Sequence, residues 1–575
     1  MTAITRRTAL QTAMLGGAAA CSSAPELTPF DALPSQTAPY FRHGVASGDP
    51  GPDSVVIWTR FFNEALSSDL RARRVKWEVA SDRDFTAVVA SGESPTGADR
   101  DWTVKALADG LDPGRSYFYR FSLGTERSPV GRTRTLPKGS LAEARFAILS
   151  CTNYPFGHFN VYDQVARRDG LDAVIHLGDY IYEYGQDGYG GESGARLGRP
   201  HDPPHELITL ADYRRRHAQY KSDPASQTMH AAHPVIALWD DHETADNSWA
   251  GGANNHDPKT EGDWAERKRA ALQAYYEWMP VREPEPGRTR EALFRAYSFG
   301  DLLTLATLET RLMARSQQIN LNDVRAGLKT PEDAARFRET VLMDETRELL
   351  GSEQLDFFDR TLRQSSDQPW RLIANQVIIA EVIAPDLSPH VDEAGIEELQ
   401  KLWTQARAFV ETSRLGLPTN LDAWDGYPAA RERFYETLRR AGGGGVIVLT
   451  GDTHTWWAND LRARDGAHVG VELGAHSVTS PSPYRKEFLA GKGAEYALLT
   501  NKGNKAVRYI SGEHHGYIDL YVRRDRVDAR FMAIDSVETP DYNSFEKAAF
   551  TITQKDGRAQ FSDADGLSFR EGWLF

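Results

Sequence analysis

Four short motifs in this sequence carry residues able to bind metal ions or move protons, and each follows an apolar run. Ser150-Cys151-Thr152-Asn153 follows ARFAIL, and Gly178-Asp179-Tyr180-Ile181-Tyr182 follows AVIHL. Trp239-Asp240-Asp241-His242-Glu243, with Asn247 close behind, follows PVIAL, and Gly451-Asp452-Thr453-His454 follows GVIVLT. Asp179 has two carboxylate oxygens and can bridge two cations. Tyr182 can bring a phenolate to the same ion, which requires a strong Lewis acid such as ferric iron. Consecutive acids beside an imidazole in Asp240-Asp241-His242 form a hard-to-borderline donor set. Asp452 and His454 can present an oxygen and an imidazole to one centre, and ligation would protect Cys151 as a thiolate. Each motif also has a structural reading: helix caps for the acids, core packing for Tyr182 and the histidines, a small buried residue for Cys151. Burial is the discriminating consideration, because charged groups so close to apolar runs must be paired or hold a metal.

These residues need elements to position them. ARFAIL, AVIHL, PVIAL, RLIANQVII and GVIVLT read as short buried strands. Helical stretches around LITLADYRRRHAQY and AERKRAALQAYYEWM alternate with them, which implies a layered α/β core. Cys151, Asp179, Asp240, Asp241, Asn375 and Asp452 fall at the carboxyl ends of those runs, where α/β sheets gather their ligands. Residues 39–137 follow a different grammar. SVVIWTR, VKWEVAS, AVVASGE, TVKALADGL and SYFYRFSLG, separated by turn signals, predict a small all-β sandwich of fibronectin or immunoglobulin type. The expected organisation is an export signal and linker at 1–38, the β-sandwich at 39–137, and a catalytic domain with a C-terminal extension at 138–575. QDGYGGESGARLGRPHDPPHEL reads as a long irregular loop, and the aromatic end LSFREGWLF should pack against the body. His176 is expected in the core, and His201, His205 and His256 in solvated loops. His514-His515 could stand near the site or at the surface.

Length and charge narrow the function. At 575 residues the chain exceeds one simple domain. Lys and Arg number 67 against 81 Asp and Glu, a net charge of −14, so no nucleic acid partner bound by sequence is expected. No apolar run nears the ~20 residues of a spanning helix. GxSxG and HExxH are absent, and Gly442–Gly445 precedes its strand, unlike a phosphate-cradling loop. The N-terminus, MTAITRRTALQTAMLGGAAACSS, places Arg6-Arg7 before a short apolar stretch and reads as a twin-arginine export signal. That implies the twin-arginine export machinery as a partner and a periplasmic or cell-surface location. Cys21 after Ala18-Ala19-Ala20 loosely resembles a lipoprotein cleavage box, which leaves a lipid anchor open.

Taken in order, the motifs resemble the PhoD-like alkaline phosphatase/phosphodiesterases of the calcineurin-like metallophosphoesterase superfamily. HGVASGDP with VIWTR, SCTNY, HLGDYIYEYG, ALWDDHETADN, LDAWDGYPAAR and TGDTHTWWA carry the resemblance across most of the chain. The resemblance implies a layered metallophosphoesterase sandwich and a mixed Fe3+ and Ca2+ centre. Cys151, Asp179, Tyr182 and His454 would hold iron, and Asp179 and Asp452 would bind calcium. Asp241, His242 and Asn247 match less firmly: Asp241 and Asn247 are metal candidates, and Asp241 and His242 catalytic ones. The implied reaction is hydrolysis of phosphate monoesters, diesters or both, in small molecules or polymers, by metal-hydroxide attack on phosphorus. A two-zinc or iron–zinc phosphatase on the same fold, or a non-catalytic exported binding protein, are the alternatives.

Overall fold

The structure, a computed structural model, describes residues 40–62, 71–402, 406–442, 444–485 and 493–562. The export signal with Arg6-Arg7, Cys21 and the LSFREGWLF end lie outside the described residues.

Two large sheets lie face to face. Among the described residues, one has ten strands and the other seven. At the centre of the first, Glu143–Leu149, Ala173–His176 and Pro234–Ala237 run parallel, with Ala147 beside Val174 and Val174 beside Val235. At the centre of the second, Leu303–Thr307, Trp370–Ala374 and Gly445–Thr450 also run parallel. Apart from Glu143 and Arg145, these strands are buried, as runs between two covering layers should be. Phe146, Ile148 and Ile175 of one sheet meet Leu305, Leu372 and Ile447 of the other in a shared core.

Helices cover both outer faces. Tyr162, Tyr213, Met229 and Tyr275 bring helices onto the ten-stranded sheet, and Phe358 and Phe434 bring helices onto the seven-stranded one. Helix Leu210–Lys221 starts at a capping box between Thr209 and Asp212, and Trp264–Trp278 starts at an Asp263 cap. The result is the layered α/β sandwich expected from the sequence.

The N-terminal residues are all-β, also as expected. Their arrangement adds a feature that the sequence pattern did not show. Val45–Gly48, Val55–Arg60 and Thr103–Ala108 continue the ten-stranded sheet, and Val45–Gly48 pairs directly with Pro234–Ala237. The remaining strands form a five-stranded sheet packed over that extension through Val75, Val79, Tyr119 and Phe121.

Four local expectations need correction. In RLIANQVII only the Trp370–Ala374 stretch is strand, because Asn375 Nδ2 donates to Val377 O and turns the chain. The glycine-rich segment contains a short helix, Gly191–Leu197. His201 is 1% exposed, its Nε2 facing Tyr189 O. The His256 ring is shielded by Trp264 and lies beside Glu261. His205 is exposed beside Asp212, and His176 is fully buried, as expected. His515 bonds Ser477, and His514 packs edge-on against Phe545.

Candidate metal centre

The four motifs converge at the carboxyl ends of the central strands, and the backbone there is unusual. Cys151, Asp179, Asn247, Asp452 and His454 all have positive φ, between 48° and 60°. Non-glycine residues rarely occupy this left-handed region, and such outliers cluster where a site imposes them. The turns are also crowded together. A Cβ on Gly178 would stand 2.5 Å from Asp240 N, and one on Gly451 would stand 2.1 Å from Ser150 Oγ. Only glycine allows these approaches. Cross-links hold the turns: Cys151 N donates to Gly178 O and Thr152 N to Asp179 O. Glu243 clamps two of them, accepting from the N–H groups of Asp179, Tyr180 and Asp240.

One cluster contains Cys151, Asp179, Tyr182 and His454. A ligand atom from each of Cys151, Asp179 and His454 lies within 4.8 Å of the other two. Tyr182 Oη is 3.1 Å from both Asp179 Oδ2 and His454 Nε2, and Ser480 Oγ donates to it. His454 Nδ1 faces Pro481 O, which leaves Nε2 directed into the cluster. Burial pushes the Cys151 thiol and the Tyr182 phenol upward, with Asp179 adding to both. A bound cation reverses that preference by stabilising thiolate and phenolate.

A second cluster joins it through Asp179. Asp179, Asp241 and His242 form one group of close ligand atoms, and Asp240, Asp241 and Asp452 form another. Burial pushes the Asp179 and Asp452 carboxyls up, and the neighbouring acids push further. Asp240 rises to about 6 for the same first reason, partly offset by Arg311. Burial also acts to raise Asp241, but His242 and Arg311 outweigh it and hold this carboxyl down at about 2. Asp240 Oδ2 and Asp241 Oδ1 are buried and lack a hydrogen-bond partner. Oxygens of this kind in a carboxylate-rich pocket suit a hard cation, and the thiol, phenol and imidazole of the first cluster suit a transition-metal ion.

The remaining expected residues differ in placement. His242 lies at the junction. Its Nδ1 is 2.8 Å from Glu183 Oε2, its Nε2 is 3.8 Å from Asp241 Oδ2, and its ring stacks on Tyr182 at 4.2 Å. Burial lowers the His242 pKa, yet Asp241, Glu183 and Asp179 together raise it well above the ordinary range. Asn247 reaches the cluster through its backbone, donating to Asp241 Oδ2 at 2.6 Å. Asn375 does not join. Its amide is occupied by Val377 O and Trp424 Nε1.

Sequence reasoning missed the central cation. Arg311 is fully buried and ion-pairs with Asp240, with Asp422 at 2.7 Å, with Asp452 at 3.4 Å and with Asp241 at 3.5 Å. Arg315 secures Asp422 from behind. The available signal was LETR after the apolar run LLTLAT, a further strand end pointing the same way. Glu183 and Glu243 stood inside the motifs but carried no assigned role.

A cavity of about 770 Å3 opens beside this centre, with Asp452, Thr453 and His454 in its wall.

Comparison with known proteins identifies relatives over most of the chain. A family model described as PhoD-like phosphatase matches residues 146–531, and one described as PhoD-like phosphatase, N-terminal domain, matches 27–137. Alkaline phosphatase D of Bacillus subtilis (strain 168) is 35% identical over 541 residues, covering 92% of this chain and 83% of that one. The solved structure of PhoD is 32% identical and superposes with a TM-score of 0.75, covering 92% of this chain and 94% of that one.

Proposed function

The chain belongs to the PhoD-like phosphatase family, which are phosphoric ester hydrolases, and from that premise we propose how its own residues hydrolyse phosphate monoesters, diesters or both. The observation that carries the reading is the joining of two ligand clusters through Asp179 at the strand ends. In this reading Cys151, Asp179, Tyr182 and His454 hold Fe3+, and Asp179, Asp241 and Asp452, with Asn247 beside them, hold Ca2+. When bound, such cations neutralise the ester's non-bridging oxygens and activate the attacking oxygen.

The protein's part is positioning and proton control. Glu243 fixes the two acidic turns relative to each other. Arg311 holds Asp240 and Asp452 as a permanent internal counter-charge. Glu183 orients His242 through Nδ1, so that Nε2 faces the acidic cluster. From there His242 stabilises the developing oxyanion or hands a proton to the leaving oxygen. No protein nucleophile is needed in this reading, because the attacking oxygen would come from water activated by the bound cations.

Export in the folded state fits a centre that must be loaded before crossing, and Arg6-Arg7 ahead of an apolar stretch supports it. Among the described residues no helix is long and apolar enough to cross a membrane.

Elemental analysis of purified active protein, together with monoester and diester assays, tests the reading. Iron and calcium should co-purify, and tyrosinate on ferric iron should give a visible charge-transfer band. Colourless active protein holding only zinc would replace the iron–calcium assignment with a zinc enzyme. Loaded protein inert toward both ester types would overturn the catalytic reading.

A further inference from the structure

Resting on the phosphoesterase reading, we infer that the cavity beside Asp452 and His454 is a subsite for a flat, uncharged aromatic ring on the alcohol side of the ester. At about 770 Å3 it has the size of pockets that enclose whole organic ligands, far more than a phosphoryl group needs. It begins at two candidate ligands, so a group attached to the reacting phosphorus can reach into it.

Aromatic rings line the cavity from two parts of the chain. Phe156 and Tyr189 contribute one pair, with centroids 4.8 Å apart. Trp457 and Tyr484 contribute the other, meeting edge to face at 6.2 Å. Each pair is tied to the centre. The Tyr189 ring lies 6.3 Å from that of Tyr182. Trp457 Nε1 donates to Thr453 Oγ1 at 3.0 Å, and Thr453 sits between Asp452 and His454. The rings are therefore held at a fixed offset from the place where the phosphoryl group must lie.

Tyr189 stands out among them. It is 37% exposed, and among the described large hydrophobic residues exposed to this degree it alone lines the cavity. Its backbone is pinned, because His201 Nε2 lies 3.3 Å from Tyr189 O and His201 is buried. The Tyr189 ring already rests on Phe156, Tyr182 and Tyr184, and the part left open beside the reaction centre offers a further stacking surface.

Charge defines the rest of the ligand. Glu192, Asp425 and Asp452 line the cavity against one cation, Arg485. Asp425 is already paired with Arg431. Asp452 is held by Arg311 and is itself a candidate cation ligand, so Glu192 and Arg485 balance one another and the wall has no excess charge to recruit a second phosphate or a carboxylate, which an uncharged ring does not need.

Non-hydrolysable phosphonates separate ring recognition from leaving-group reactivity. Calorimetric titration of the metal-loaded full chain should show naphthylmethylphosphonate binding about tenfold tighter than butylphosphonate. Tyr189→Ala should bring the two affinities to within about twofold by weakening the naphthyl compound, and Tyr189→Phe should restore the gap. Adenosine-5′-methylphosphonate, in a third arm, distinguishes a nucleobase from a simple aryl ring as the occupant. Equal affinities in the unaltered protein, with inorganic phosphate still bound and esters still hydrolysed, would overturn the ring subsite alone. Failure to bind phosphate or turn over any ester would overturn the underlying reading and this one with it.

Discussion

Two buried polar clusters diverge from a single turn. Asp179 and Tyr182 reach into the acidic centre, while Tyr180, between them, reaches the other way, to His230 Nε2 at 2.9 Å. That second cluster is basic: Lys221 Nζ lies 2.8 Å from His230 Nε2, and His176 and His217 pack around Tyr180. Both clusters are desolvated, but they resolve the cost differently. A base escapes burial by giving up its proton, and Lys221, His230, His176 and His217 are all held below their ordinary pKa by burial. Several acids crowded together would have to take protons up, and here oxygens of Asp240 and Asp241 remain without a hydrogen-bond partner. The basic cluster also keeps unpartnered nitrogens on His176, His217 and His230, but a neutral ring tolerates that, whereas crowded carboxylates call for cations from outside. That asymmetry separates structure from function more sharply than burial does.

The most damaging test of the contrast removes the shared ligand. Asp179→Asn should abolish co-purification of both metals and lower ester hydrolysis by about 10³-fold or more, with the circular dichroism spectrum unchanged. Elemental mass spectrometry and steady-state rates measure this. Retention of both metals would show that Asp179 does not join the two clusters.

Next comes the internal cation. Arg311→Met leaves Asp240, Asp422 and Asp452 facing one another without their shared partner. Breaking a buried ion pair from one side costs about 3–5 kcal/mol. Stability of the metal-free variant should fall by that order in denaturant titration. Added calcium should recover more of the loss than it adds to unaltered protein, because the uncompensated acids then bind it more strongly. An equal calcium effect in both proteins would assign Arg311 a packing role only.

These two residues also mark the limits of what the sequence displayed. Asp179 was legible because it ends an apolar run as the other three motifs do; alone, a helix cap explained it equally well. The layers were legible for the same reason, through five apolar runs alternating with helices. Arg311 was not, because its partners lie 70 to 141 positions away in the chain and only the fold brings them together. The burial of His201 was hidden by loop composition, since loop residues do not reveal what covers them. The pairing of Val45–Gly48 with Pro234–Ala237 was hidden too, because a strand's sequence shows its faces and not its neighbour across the sheet.

A smaller effect comes from pH acting on the basic cluster. His176 and His217 are each lowered to about 3 by burial, against about 6.5 in the unfolded chain. Below pH 6.5 the unfolded state therefore binds more protons, so stability falls as pH drops from about 6.5 toward 3. Thermal unfolding of metal-loaded protein should show the midpoint falling through that window. His217→Gln should flatten the slope, since its ring nitrogens have no hydrogen-bond partner to lose. A midpoint independent of pH between 4 and 6.5 would mean these rings are not held neutral.

The smallest expected effect is the most discriminating. Lys221 is 1% exposed, and no described carboxylate pairs with it. Its amine lies over the Trp58 and Tyr180 rings, and among the described residues its only polar side-chain partner is His230. Lys221→Met keeps the length and apolar stem of the side chain and removes the group that burial penalises. His230 Nε2 retains Tyr180 Oη as a partner, so no orphan is created. Replacing a buried charge-bearing group by an apolar one of similar volume is often neutral or stabilising. Stability at pH 7 should stay within about 1 kcal/mol or rise. Metal content should not change, and rates should stay within about twofold, because nothing in this cluster supplies a ligand. Arg311→Met and Lys221→Met are thus the same chemical deletion in two settings, with opposite outcomes expected. Loss of metal on replacing Lys221 would mean that the turn transmits strain from one cluster to the other, and the division between them would then be drawn in the wrong place.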